Sequence, residues 1–256
     1  MNIDKSQVAQ RFEKAAQSYV EHAVVQKKIC QNLIGLMQEH LSKNRLDRIF
    51  EIGCGSGNLT HLLLQHFAIK QLFLNDLYPQ VQQHFQVKEN LQWRIGDIEQ
   101  LDFPPALDLI ASSSALQWIC DLDAIFKKCS DALMNDGYFC FSTFGQQNLK
   151  EIKALTGQGL NYLSIECVQE KLTQQDFEIL HLSENIETLT FHHPKEVLQH
   201  LKATGVTATA SQHRWSKQSL QQFYQDYLQF SELEQNGQRH YQLSYHPIYC
   251  IARSKS

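Results

Sequence analysis

Arg48-Ile49-Phe50-Glu51-Ile52-Gly53-Cys54-Gly55-Ser56-Gly57-Asn58-Leu59-Thr60 is the stretch that decides the fold. It opens on apolar residues that suit a strand, turns through Gly at every second position, and runs on into Leu59-Thr60-His61-Leu62-Leu63-Leu64, which suits a helix. A strand, a Gly turn and a helix in that order build a nucleotide site at the carboxyl edge of a parallel sheet. Gly53, Gly55 and Gly57 carry no Cβ, so the backbone can turn sharply and a ligand can lie against it. The free N–H groups of the following helix point at that ligand. A dinucleotide fingerprint needs Gly at its sixth position, and here that position is Asn58, which argues against NAD.

Working outward, Leu72-Phe73-Leu74-Asn75-Asp76 reads as the next strand and ends in a carboxylate about twenty positions after the turn, where it can accept both hydroxyls of a ribose. Leu77 or Tyr78 then borders the base. Leu91 to Ile95 reads as a third strand, followed by Gly96-Asp97-Ile98. Leu107 to Ser112 reads as a fourth, whose carboxyl edge carries Ser113-Ser114-Ala115-Leu116-Gln117-Trp118. Trp118 reads equally as a core aromatic and as a wall of the site, where a ring face would suit a sulfonium cation. Asp121 caps a helix to Met134, and Tyr138 to Phe144, almost wholly apolar, reads as a central fifth strand. Phe177 to Phe191 reads as a sixth strand and Tyr241 to Ile251 as the last, with two helices between them, one opened by Pro194 and one capped by Ser216.

Ahead of the Gly turn, residues 6 to 41 read as helix, with Tyr19, His22 and Gln26 on one stripe. That stripe is either the edge of a packed helix or part of a lid. The length of 256 residues suits one α/β domain with an insertion. The formal net charge of −4 gives no general nucleic-acid footprint. No apolar run reaches membrane-spanning length and no signal-peptide pattern opens the chain, so the expectation is a cytoplasmic protein, with no membrane association. Seven scattered cysteines read as reduced thiols, and His192-His193 lack a second cluster at metal-ligand spacing.

The Glu51-to-Gly57 form resembles motif I of the class I S-adenosylmethionine (SAM) methyltransferases. The resemblance implies SAM as cofactor and S-adenosylhomocysteine as product. It further implies a Rossmann-like, seven-stranded, mostly parallel sheet with flanking helices, an N-terminal helical lid and a helical insertion before the last strand. The whole chain resembles, more narrowly, the malonyl-[acyl-carrier-protein] O-methyltransferases of biotin synthesis. Four stretches carry this: Phe12 to Tyr19 with His22 to Gln26, Ser114 to Trp118, Leu201 to Val206, and Tyr241 to His246. Ser56 departs from that pattern, which more often has Pro there.

The resemblance assigns cofactor binding to Glu51, Gly53, Cys54, Gly55, Gly57, Asn58, Asp76, Leu77, Asp97, Ile98 and Ser113. It assigns substrate positioning to Tyr19, Gln117 and Trp118, with Tyr245 a further candidate. A carboxylate acceptor is already ionised, so no general base is expected. Arg214 and Arg239 are carboxylate-binding candidates on charge alone, and equally surface residues. The expected layout is one domain: a lid over 6–41, a SAM-binding core over 46–145 and a helical insertion over 192–235 that covers the acceptor site. The expected partner is acyl carrier protein bearing a malonyl thioester, and the expected state is a monomer. Between Pro194 and Phe230, Lys195, Lys202, Arg214 and Lys217 are opposed by Glu196 and Asp226 alone, a local basic excess suited to an acidic carrier.

Overall fold

The computed structural model describes residues 5, 10, 23–86, 89–205 and 215–255. Its strands are β1 (Arg45–Ile52), β2 (Ala68–Asp76), β3 (Leu91–Ile95), β4 (Leu107–Ser113), β5 (Leu133–Phe144), β6 (Phe177–Glu184), β7 (Glu187–Phe191), β8 (Ser231–Leu233), β9 (Arg239–Tyr245) and β10 (Pro247–Ser254). A seven-stranded sheet runs in the order β3-β2-β1-β4-β5-β10-β6. Neighbours are parallel except that β10 lies antiparallel between β5 and β6. This is the Rossmann-like methyltransferase sheet expected from the sequence. The order reverses between β1 and β4, so the crevice beyond their carboxyl ends is the ligand-binding position of such a sheet.

Alternate residues of the inner strands face two apolar layers. Ile49, Leu109, Tyr138 and Cys140 face the layer that holds α1 (Val24–His40) and α2 (Asn58–His66). Phe50, Ile110, Phe139 and Phe141 face the layer that holds α3 (Leu122–Ala132) and α5 (Ile165–Gln174). The remaining helices are α4 (Lys150–Thr156), α6 (Pro194–Ala203) and α7 (Lys217–Asp226). The stops and starts follow the sequence: Asp121 caps α3 through Ala124 N–H at 3.0 Å, and Ser216 forms a capping box with Ser219 on α7.

Three expectations change. The strand expected over 177–191 is two strands, broken at Asn185-Ile186, and the last strand is also two, broken at His246. Their outer halves, β7 and β9, pair with β8 in a separate three-stranded antiparallel sheet. The cause of the second break lies in the turn after β5. Gly145 N–H donates to the His246 carbonyl at 2.7 Å, and Asn148 Oδ1 accepts from His246 N–H at 3.2 Å. The backbone of His246 is thus taken out of both ladders. Of the helix expected over 6–41, the described part that is continuous is Val24–His40, and it packs on the sheet with Val25, Ile29, Leu33 and Met37 buried. Tyr19, His22 and Arg214 lie outside the described residues. No helix among the described residues is long and apolar enough to cross a membrane.

Candidate active site

The turn after β1 places Gly53, Gly55 and Gly57 at φ of 72°, 52° and 85°. All three lie in the left-handed region that side chains rarely adopt. A Cβ on Gly53 would stand 2.4 Å from the Ala115 Cβ, whereas one on Gly55 would meet nothing within 4 Å. The first glycine therefore lets the β1 and β4 loops close on each other, and the second opens onto the crevice. Gly57 caps α2, and its Cβ would strike His61 and Phe85 instead.

The cavity at this edge is lined by Glu51, Gly53, Cys54, Gly55, Asn58, Asp76, Leu77, Asp97, Ile98, Ser113 and Trp118, all singled out in the sequence. Gly57 and Gln117 are not on its wall. Gln117 instead donates from Nε2 to the Ser114 carbonyl at 2.5 Å and braces the β4 loop. Tyr245 is buried at the end of β9, and Arg239 donates to Ser231 Oγ at 2.8 Å within the small sheet.

Two carboxylates are buried at the floor. Glu51 accepts from Thr60 Oγ1 at 2.6 Å, and burial pushes its pKa up to about 8. Asp76 accepts from the N–H groups of Gly55 and Leu77 at 2.8 and 2.7 Å. Burial still raises it to about 6, because desolvation outweighs those donors. A buried carboxylate with unused acceptor sites is a station for hydroxyl donors. Asp97, at the far end, is held by Lys5 Nζ at 2.6 Å, and the same ammonium also pairs with Glu99.

Sequence reading missed Lys5, which carries no motif, and it treated Gln26 as part of a lid stripe. Gln26 and Cys30 both line the cavity, one helical turn apart on α1. The signal that could have found them is a polar side chain within the apolar face of that helix. Three wall atoms, Gln26 Oε1, Ser56 Oγ and Ser114 Oγ, are buried with no hydrogen-bond partner among the described residues. Native interiors rarely leave such atoms unpaired, so they mark where a polar ligand would sit.

Residues 50–141 match the family model described as "Methyltransferase domain". Malonyl-[acyl-carrier protein] O-methyltransferase of Acinetobacter baylyi is 50% identical over 100% of this chain and 99% of that protein. The chain belongs to the malonyl-[acyl-carrier protein] O-methyltransferase family. The Haemophilus influenzae family member is 38% identical over 98% of this chain and 95% of its own length. Among solved structures, the YcgJ protein of Bacillus subtilis matches with a TM-score of 0.58 at 15% identity, covering 88% of this chain and 99% of that one. The N-methyltransferase NodS of Bradyrhizobium japonicum, in complex with S-adenosylhomocysteine, matches with a TM-score of 0.52 at 14% identity, over 88% and 87% of the two chains. These two share the fold of this O-methyltransferase family member.

Proposed function

We propose that this chain methylates the free carboxylate of a malonyl group carried on acyl carrier protein, with SAM as donor, as a step of biotin synthesis in the cytoplasm and as a monomer. What carries the reading beyond family membership is the cavity itself: two loops closed through Gly53, a glycine open to the crevice, and a row of carboxylates graded in burial. SAM supplies an electrophilic methyl group on a sulfonium centre. Asp76 would hold the ribose hydroxyls, Asp97 and Ile98 the adenine, and Glu51 with Gly53, Cys54, Asn58 and Ser113 the amino-acid end. The acceptor carboxylate is ionised at neutral pH, so no residue has to remove a proton from it. The chain's task is to orient two reactants and exclude water from them. Trp118 on the wall serves that task.

The carrier docks on the insertion over 192–235. Lys195 and Lys202 on α6 and Lys217 on α7 are exposed and offer cations to an acidic carrier, beside the exposed acids Asp226, Glu232 and Glu234. The test is the intact mass of malonyl-carrier protein after incubation with SAM, beside malonyl-CoA and a panel of polycarboxylates. One methyl gained on the carrier-bound acyl group, weakened by Lys202→Glu and by raised salt, is the expected result. Methylation of a polycarboxylate alone would overturn the substrate assignment and keep the reaction class.

A further inference from the structure

Gln26 is 6% exposed, yet its side chain faces the cavity. Its amide lies beside the Tyr245 hydroxyl and favours the ionised form of that group, as an N–H turned toward it does. Oε1 has no partner among the described residues, so the nitrogen is the end turned toward Tyr245 and the carbonyl oxygen is left over. Behind it, the Tyr245 hydroxyl lies 2.9 Å from His200 Nε2, and Thr204 Oγ1 donates to the His200 carbonyl at 2.9 Å. His200 and Thr204 sit on the last turn and the cap of α6, and both are buried. A chain of polar groups therefore runs from the insertion to the cavity wall and ends in one unpaired acceptor.

The location of that acceptor limits its ligand. Cys30, one turn further along the same face of α1, lies with its Sγ 3.3 Å from Ser113 Oγ at the carboxyl end of β4. Cys30, Glu51 and Ser113 all line the same cavity. Gln26 thus belongs to the Glu51–Ser113 end of the crevice, away from Asp97. On the reading given under the proposed function, on which this inference rests, that end takes the amino-acid portion of SAM. The sulfonium and carboxylate there offer no N–H or O–H. The α-ammonium offers three donors.

We propose that Gln26 Oε1 receives this ammonium, and that Tyr245, backed by His200, is a positioning residue that keeps the amide turned toward it. The insertion that faces the acceptor thereby also sets the grip on the donor.

The test is titration calorimetry on the full chain with two ligands. S-adenosylhomocysteine carries the amino-acid end, and 5′-methylthioadenosine lacks it. Gln26→Leu is expected to weaken the first by about ten-fold or more, the scale of a hydrogen bond to a charged group, and to leave the second unchanged. Tyr245→Phe keeps the ring and removes the hydroxyl. It is expected to weaken S-adenosylhomocysteine by about three-fold, the scale of a neutral hydrogen bond, again without effect on methylthioadenosine. If Gln26→Leu does not fold, Tyr245→Phe carries the same test. Equal losses on both ligands, or none on either, would overturn the assignment. A wild-type chain that binds neither ligand would overturn the SAM reading along with it.

Discussion

The half of the molecule built on β1 to β4 and the half built on β6 to β10 were read from the same sequence with different success. In the first half, eleven of the residues picked out from motifs converge on one cavity wall. In the second, two expected strands each proved to be two, and a three-stranded sheet emerged that no local pattern announced. The difference is one of contact range. The Gly turn is specified by its own residues and by neighbours such as Thr60 and Asp76, nine and twenty-one positions away. The break at His246 is specified by Asn148, ninety-eight positions away. Apolar alternation ends at Tyr245 and Pro247 can break a ladder, yet nothing in the stretch says that its two halves join different sheets.

The sharpest way to break this comparison is at its most local feature. Gly53→Ala adds a left-handed strain and a Cβ clash with Ala115, and it should cost about 2–4 kcal/mol of stability by urea unfolding. Gly55→Ala shares the strain without the clash, so about 1–2 kcal/mol is expected there. Equal losses at both positions would show that the loop contact contributes nothing.

Asp76→Ala should weaken S-adenosylhomocysteine by about 1.5–3 kcal/mol in calorimetry, the scale of charge-assisted hydrogen bonds. An unchanged dissociation constant would move the ribose contact elsewhere. On the other half, Glu151 is buried and accepts from both Ser244 N–H and Ser244 Oγ, at 3.0 and 2.6 Å. Glu151→Ala strands those donors and should cost about 1–3 kcal/mol of stability, with S-adenosylhomocysteine affinity held near wild type. A loss of affinity larger than the loss of stability would erase the separation between the halves.

The smallest effect is a slope. Burial raises Glu51 to about 8, so the folded state keeps a proton that the unfolded state releases in the ordinary carboxylate range. Stability is fully present below that range and falls as pH rises toward 8. Glu51→Gln carries no such proton. Its stability relative to wild type should therefore climb between the ordinary carboxylate range and pH 8 in parallel urea titrations. A flat difference would mean that Glu51 is ionised in the fold.

Much of the site was legible because its chemistry is written in runs of a few residues: Glu51 to Asn58, Asp76-Leu77, Asp97-Ile98. Gln26 and Tyr245 were each visible, yet their link was not. They are more than two hundred positions apart and meet only because α1 packs on the sheet beside the end of β9. Lys5 was silent for the same reason, since a lysine near a chain end has no local pattern that points to Asp97.

The cysteines give the experimenter a built-in handle. Cys30, Cys54, Cys129, Cys140 and Cys250 are buried, and burial lifts their thiols far from the ionised form that alkylating reagents attack, Cys30 to about 12. Cys120 is exposed, and its neighbour Ile119 lines the cavity. With the half-exposed Cys167 changed to Ser, a maleimide dye would settle on a single atom beside the crevice. Ligand entry could then be followed by emission in real time, with the interior thiols serving as their own control: their reaction would signal that the fold had opened.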